Sequence, residues 1–269
     1  MSTIGFIGGG NMAEALIKGI ISAQVYSPSE VIVSDVRSKR LDYLASEYKV
    51  TAAENNTALV QRADVVVLSV KPQNMKDVLN EIKDSVKKDT LIISIAAGVT
   101  TAKIAGALGD VPIIRGMPNT PALIGQGASA LYSGNASKEA MGQAQKIFSA
   151  VGKSVAVESE ELIDAVTAVS GSGPGYFFLL MEEMIKAGEK LGLSSDVAKK
   201  LVLQTAKGAA LLAESADIQG ETPAELRNKV TSPGGTTEAA IKVFAEKQFG
   251  ELVTEALTAA CDRGKELSG

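Results

Sequence analysis

The sequence predicts an α/β protein: an N-terminal Rossmann-type, doubly wound domain followed by a C-terminal all-α dimerisation domain. Three observations carry that reading. Short apolar runs alternate with helical patterns from residue 3 to about residue 158, the order that builds a parallel sheet covered on both faces. The first run leads directly into a glycine cluster and then a helix. Beyond about residue 160 only helical periodicity remains. A chain of 269 residues has room for two cores, assigned here to residues 1–159 and 160–269.

Ile4-Gly5-Phe6-Ile7 reads as the first strand, Gly8-Gly9-Gly10 as its turn, and Met12, Leu16, Gly19, Ile20 and Ala23 as one face of the next helix. The Gly-x-Gly-x-x-Ala spacing is a weak signal alone, and an ordinary glycine-rich turn would share it. Between a strand and a helix it has a mechanical purpose. Gly8 permits a tight turn, Gly10 lets a pyrophosphate approach the backbone, and Ala13 lets helix and strand pack closely. The unpaired N–H groups of the helix start then face the anion.

Residues 30–35 form the second strand, ending where the adenosine ribose of a dinucleotide would lie. Asp35 suits a 2′-hydroxyl and hence NAD, whereas Ser34, Arg37, Lys39 and Arg40 offer donors for a 2′-phosphate. The two signals conflict, and Lys39 and Arg40 read equally well as a solvated helix turn. Residues 63–70 and 89–95 are near-continuous apolar runs suited to buried parallel strands. The first ends in Lys71-Pro72-Gln73, either a proline-terminated loop or an edge of the cofactor crevice, and the second in Ala96-Ala97-Gly98. Residues 111–115 form a further strand before Gly116-Met117-Pro118-Asn119-Thr120-Pro121. Runs near 128–132 and 154–157 are strands whose direction the sequence does not fix.

In the helical part, residues 162–170 open a helix that Gly171-Ser172-Gly173-Pro174-Gly175 should kink or break. Residues 176–191 resume it and Gly192 ends it. Ser194 caps the next helix, whose face is Val197, Leu201, Thr205, Gly208 and Leu212. Thr222-Pro223-Ala224-Glu225 is a capping box with proline in the first turn. Ser232-Pro233-Gly234-Gly235 stops that helix, and Thr236-Thr237-Glu238 opens another. The stretch 162–181 carries too few charges for a solvated surface. A subunit interface is expected to cover it, burial against the first domain being the other reading.

Composition narrows the chemistry. With 27 basic against 31 acidic residues there is no broad basic surface for nucleic acid. The single Cys261 forms no internal disulfide, and the opening residues lack the basic and apolar regions of a signal peptide, so a reducing cytoplasm is expected. The uncharged stretch 116–137 is too rich in Gly, Pro, Asn and Ser to cross a membrane. There is no histidine, which removes His-dependent triads, and one cysteine builds no thiolate zinc site, so no metal is expected. A cofactor that carries the hard chemistry accounts for the lack. Gly234-Gly235 then repeats the physics of the opening turn: exposed amides at a helix start, favouring a carboxylate or phosphate. Thr237 reads as an N-cap, or as a hydrogen-bond partner for an atom beside that anion. With the nucleotide turn opposite this loop, a small anionic substrate would face the nicotinamide.

Taken together, Gly5-Phe6-Ile7-Gly8-Gly9-Gly10-Asn11-Met12-Ala13, Val70-Lys71-Pro72-Gln73, Met117-Pro118-Asn119-Thr120-Pro121, Gly171-Ser172-Gly173-Pro174-Gly175-Tyr176 and Val230-Thr231-Ser232-Pro233-Gly234-Gly235-Thr236-Thr237 make the chain resemble the pyrroline-5-carboxylate reductase family over essentially its full length. The resemblance implies hydride transfer from NADPH, with NADH the alternative, to C5 of Δ1-pyrroline-5-carboxylate, giving L-proline at the last step of its biosynthesis. It implies a homodimer interlocked through the helical domain, able to assemble into a decamer. By the family pattern, Gly8, Gly10, Asn11 and Met12 hold the pyrophosphate, Ser34 and Arg37 the adenosine ribose, and Asn56 its surroundings. Lys71, Pro72, Ala97 and Asn119 line the nicotinamide side. Backbone N–H groups of Gly234 and Gly235 bind the substrate carboxylate, with Ser172 and Gly173 beside it, and Thr237 hydrogen-bonds the ring nitrogen as the candidate catalytic residue. A protonated imine needs no strong general acid, which fits the missing histidine.

Two rivals are weighed against this. A β-hydroxyacid dehydrogenase would carry a Lys-x-x-x-Asn pair, but the helix after Gly175 has Glu182, Glu183 and Lys186 with no Asn four residues beyond the lysine. A non-catalytic NADPH-binding sensor would need no carboxylate site.

Overall fold

The computed structural model describes residues 2–268. It divides into two compact units, Met1–Pro174 with Ala259–Gly269, and Gly175–Thr258.

The first unit is built on one sheet of β1 (Ile4–Ile7), β2 (Val31–Ser34), β3 (Thr51–Ala52), β4 (Val65–Leu68), β5 (Leu91–Ser94), β6 (Ile113–Met117), β7 (Gly127–Ser133) and β8 (Gly152–Ala156). Strands β1 to β6 are parallel in the order 3-2-1-4-5-6, the doubly wound arrangement expected from the alternating runs. Its helices are α1 (Asn11–Ser22), α2 (Ser38–Tyr48), α3 (Asn56–Arg62), α4 (Pro72–Ile82), α5 (Thr101–Leu108) and α6 (Lys138–Ser149). Strand β7 is antiparallel to β6, and β8 is parallel to β7 at the edge. Loop length explains both directions. Only a 3-10 turn, Thr120–Ile124, separates β6 from β7, too little for a crossover, whereas α6 supplies one between β7 and β8.

The near-continuous apolar runs are buried on both faces. Val65 and Val67 of β4 point into one core with Ile4, Phe6, Leu16, Ile20 and Phe148. Val66 and Leu68 point into the other with Leu59, Met75, Ile82 and Ile92. The face of α1 needs one correction. Its buried residues are Ala13, Ala15, Leu16, Ile17 and Ile20, while Ala23 caps the helix and is exposed.

Helix α7 (Leu162–Val166) continues into a π turn, Thr167–Gly171, closed by the Ser172 N–H donating to the Thr167 carbonyl at 2.8 Å. Helix α8 (Gly173–Lys190) then starts afresh. Pro174 therefore sits in a first turn, where its missing N–H costs nothing, and of the two expected outcomes, a kink or a break, the stretch gives a break at Ser172.

The second unit is helical, containing most of α8 and the first half of α12 (Phe249–Ser268) together with α9 (Ser195–Asp217), α10 (Pro223–Lys229) and α11 (Thr236–Glu246). The capping box at Thr222 forms, its hydroxyl accepting from the Glu225 N–H while the Glu225 carboxylate accepts from the Thr222 N–H. The buried face of α9 is Ala198, Val202 and Ala216, and the larger Val197, Leu201 and Leu212 of the expected face are exposed. On α8, Phe177, Phe178, Leu179, Leu180 and Met184 are exposed in the single chain.

Candidate active site

In the 3-2-1-4-5-6 order the chain leaves β1 and β4 in opposite directions, and a crevice opens beyond the carboxyl ends of those strands. It measures about 770 Å³ and is lined by Gly8, Gly10, Asn11, Ser34, Arg37, Asn56 and Lys71 of the residues picked from the sequence. The volume lies in the range that holds a small ligand.

Gly8 adopts φ +94°, and a Cβ there would lie 2.8 Å from the Ser69 carbonyl oxygen, so no other residue fits without strain. The Gly8 N–H donates to the Ser34 carbonyl at 2.8 Å, and the Gly9 N–H to Asp35 Oδ2 at 2.8 Å. Those two amides are committed to the turn itself. The amides at the start of α1, from Asn11 onward, are the ones left for an anion. A Cβ at Gly10 would meet nothing within 4 Å, because that position faces the open crevice. The cradle therefore fits a dinucleotide pyrophosphate. Met12 packs its side chain against the core, leaving its backbone to the site.

The acidic residue at the end of β2 is turned inward. Asp35 accepts from the Gly9 N–H, from the Arg37 N–H and from the Arg37 guanidinium at 2.9 and 3.0 Å. Burial alone would raise its pKa, but the Arg37 side chain, the Arg37 and Gly9 amides and the Arg37 charge outweigh it and hold the carboxyl below its usual value. Its charge is thus spent on Arg37, which relieves the conflict with a 2′-phosphate.

Arg40, read from the sequence as a phosphate donor or a solvated residue, does neither. Its Nε donates to the Gly9 carbonyl and its guanidinium pairs with Glu14 at 2.5 Å. The Tyr48 and Tyr43 hydroxyls donate to the other oxygen of Glu14 at 2.8 and 3.1 Å. Burial works against the Glu14 charge, yet these hydrogen bonds and Arg40 lower its pKa below the usual carboxylate range. Burial, and then the same contact with Glu14, raise the pKa of the Tyr48 hydroxyl. This network stands behind the glycine turn and fixes its carbonyls.

Asn74, Asp77, Val78 and Glu81 also line the crevice and were not singled out from the sequence. Their i, i+3, i+4, i+7 spacing puts them on one face of α4, a signal that was legible once Lys71-Pro72 was placed at the strand end. The remaining picks lie elsewhere in the first unit. Pro72 lines a cleft with Gly98 and Leu267, and Ala97 and Ser172 line a smaller cavity with Asp164, Thr167 and Arg263. Gly173 is buried at the start of α8. Asn119 is buried and spends its amide on structure, donating to the Ser170 carbonyl at 3.0 Å and accepting from the Ala128 N–H at 2.9 Å. The buried Arg115 was also missed: it pairs with Glu160 at 3.2 Å and Asp164 at 3.6 Å.

In the second unit, Gly234 has φ +71° and Gly235 is the N-cap of α11, so Thr237 is the second helical residue and not the cap. The Gly234 N–H donates to Glu238 Oε2 at 2.7 Å, and the Gly235 N–H to the Ser232 carbonyl at 2.9 Å. A carboxylate therefore already rests on this loop, supplied by the chain itself. The Thr237 hydroxyl has no hydrogen-bond partner among the described residues. No cluster of His, Cys, Asp or Glu among the described residues could hold a metal ion, and no helix among them is long and apolar enough to cross a membrane.

Comparison with known proteins adds to this geometry. Residues 160–267 match the model described as pyrroline-5-carboxylate reductase dimerisation, and residues 3–98 the one described as NADP oxidoreductase coenzyme F420-dependent. A pyrroline-5-carboxylate reductase of Pseudomonas aeruginosa is 50% identical over 272 residues, covering 100% of this chain and 98% of the relative. A solved pyrroline-5-carboxylate reductase of Coxiella burnetii is 43% identical with a TM-score of 0.93, covering 100% and 99% of the two chains. The Plasmodium falciparum pyrroline carboxylate reductase, solved with NADP bound, is 31% identical with a TM-score of 0.88 over 100% and 98%.

Proposed function

The chain belongs to the pyrroline-5-carboxylate reductase family, and from that premise we propose how its own residues divide the work. The reaction is the NAD(P)H-dependent reduction of Δ1-pyrroline-5-carboxylate to L-proline, the last step of proline biosynthesis, with NADPH as cofactor and NADH as the alternative. When bound, NADPH supplies the hydride that reaches C5 of the imine. Everything else falls to the protein.

Residues 1–159 hold the cofactor. The amides at the start of α1, with Gly8 and Gly10 giving the turn its shape, hold the pyrophosphate, while Ser34, Arg37 and Asn56 meet the adenosine ribose. Lys71, Pro72, Ala97 and Asn119 belong to the nicotinamide side, Asn119 as the residue that fixes its own loop. Residues 160–269 supply the substrate loop and the subunit contact. The start of α11 receives the substrate carboxylate, with Gly234 and Gly235 shaping its turn, the Gly234 N–H exchanging Glu238 for the substrate and the Gly235 N–H kept by the Ser232 carbonyl, and with Ser172 and Gly173 on the substrate side. Thr237, its hydroxyl unspent, orients the ring nitrogen and holds the proton there. The observation that supports this reading is the Glu238 carboxylate on the Gly234 N–H, an anion of the same class as the substrate's.

The chain forms a homo-oligomer through its dimerisation domain. We place it as a homodimer, with the decamer as its higher assembly, working in the cytoplasm without nucleic acid, membrane or metal.

The test is oxidation of NADPH and NADH with Δ1-pyrroline-5-carboxylate. Wild type should turn over, and lack of turnover with that imine defeats the reading. At Gly235 an added Cβ would lie 2.9 Å from the Ser232 carbonyl oxygen, so Gly235→Ala must shift the loop. It should lower kcat/KM for the imine by about a hundredfold and leave the Kd for NADPH unchanged. A sensor that merely binds NADPH would show no dependence on this residue.

A further inference from the structure

The ribose end of the crevice contains a chain of three side chains whose hydrogen-bond direction is fixed. Asn56 Nδ2 lies 2.7 Å from Glu81 Oε2, and Ser34 Oγ lies 2.6 Å from Asn56 Oδ1. A carboxylate only accepts, so the amide nitrogen of Asn56 must face Glu81. Its oxygen therefore faces Ser34, and an amide oxygen also only accepts. Ser34 has one proton and must donate it to Asn56. At 3% exposure it does not exchange that bond readily for water. What Ser34 then presents to the crevice is a pair of lone pairs, an acceptor for a 2′-hydroxyl and a poor neighbour for a 2′-phosphate.

The other polar groups at this end do not offset that polarity. Asp35 is saturated by Arg37 and Gly9, and the Arg37 guanidinium spends two of its five N–H bonds on Asp35, leaving the rest as donors toward a phosphate without changing the polarity of Ser34. We propose that Glu81, on the side of α4 that lines the crevice, is a specificity-determining positioning residue: by fixing the Asn56 amide it makes Ser34 an acceptor, and so keeps the unphosphorylated cofactor competitive with NADPH. This rests on the reading of the crevice as the cofactor site.

Replacing Glu81 with Gln keeps the shape and adds a donor. The Asn56 amide can then turn over and donate to Ser34, releasing the Ser34 proton to a 2′-phosphate. Calorimetric titration of the full-length protein with NADP+ and with NAD+ reads this without turnover. Glu81→Gln should shift the ratio of the two Kd values about tenfold toward NADP+, with Glu81→Ala moving in the same direction. The steady-state ratio of kcat/KM for NADPH and NADH should follow. In a Ser34→Ala background the Glu81→Gln shift should vanish, because the effect travels through the Ser34 hydroxyl. A ratio unmoved by Glu81→Gln in a protein that binds both cofactors overturns the inference and leaves the crevice reading intact. A shift of equal size in the Ser34→Ala background overturns it as well, since the charge of Glu81 alone would then be acting. Failure of wild type to bind either dinucleotide would instead defeat the crevice reading itself.

Discussion

Arg40→Met removes the brace behind the nucleotide turn while keeping much of the side chain's length and apolar stem. The arginine donates to the Gly9 carbonyl and pairs with Glu14, both side chains being less than a fifth exposed, at 18% and 19%. A hydrogen bond from a charged donor is worth about 1.5–3 kcal/mol, and the loss is softened because Tyr48 and Tyr43 still donate to Glu14. A destabilisation of about 2–3 kcal/mol follows. Freed from Arg40, the Gly9 and Gly10 peptides can rotate, and the amides that follow lose their aim. The Kd for NADPH should rise about tenfold, equivalent to about 1.4 kcal/mol, while the imine KM at saturating NADPH stays unchanged. Urea unfolding and fluorescence titration of NADPH measure the two effects separately. A lower urea midpoint with an NADPH Kd unchanged within error would refute the reasoning, because the brace would then tie α2 to α1 without orienting the turn.

Three other outcomes follow from the same contacts. Glu14 and Asp35 have folded-state pKa values below their usual ones, so the stability they contribute is present above the ordinary carboxylate range and lost as pH falls through it. Glu14→Gln should therefore flatten the fall in stability measured between about pH 5 and about pH 3, and an unchanged slope contradicts the assignment. Gly8→Ala forces a side chain into φ +94° and against the Ser69 carbonyl. It should cost about 1–3 kcal/mol and weaken NADPH binding by more than about tenfold, as read by titration. Phe178, 61% exposed on α8 in the single chain, should be covered in the homo-oligomer. Phe178→Asp should shift sedimentation toward the monomer, and an unaltered profile would place the interface elsewhere.

What was legible in the sequence was local. The strand, glycine turn and helix at residues 4–22 announce themselves because turn chemistry and periodicity act over a few neighbours. The capping box at Thr222 was legible for the same reason. The direction of β7 was not, since it depends on whether the link from β6 can carry a crossover. Which face of α9 its own chain covers was not legible, because a helix apolar on two sides does not reveal it: the small Ala198, Val202 and Ala216 pack inward, and the larger Leu201 and Leu212 are exposed in the single chain. The charged residues were hardest to place. Glu14, Arg40 and Glu81 each look like solvated helix positions until partners 25 or more residues away are brought to them.

Those charges share a task that explains how a protein without histidine can bind a dinucleotide and a small acid. Asp35 accepts from the Gly9 amide, Arg40 donates to the Gly9 carbonyl, Glu238 accepts from the Gly234 amide, and Glu81 orients Asn56. In each case an ionised side chain aligns a neutral dipole. Fixed dipoles bind anions without presenting a bare charge that would have to be desolvated, and they need little rearrangement as charge shifts during reduction. The imine nitrogen needs a proton held in place more than a group that pulls one off, so in the proposed site a threonine hydroxyl beside such amides would suffice where an imidazole is absent. The Glu238 contact sharpens this. A substrate carboxylate bound as proposed has to compete with a tethered carboxylate for the Gly234 amide, so an anion that reaches only that one amide would gain little. On the proposed reading, an anion that also spans the start of α11 and sets a ring nitrogen against Thr237 gains further bonds, so the loop would favour a small cyclic amino acid imine over free carboxylates.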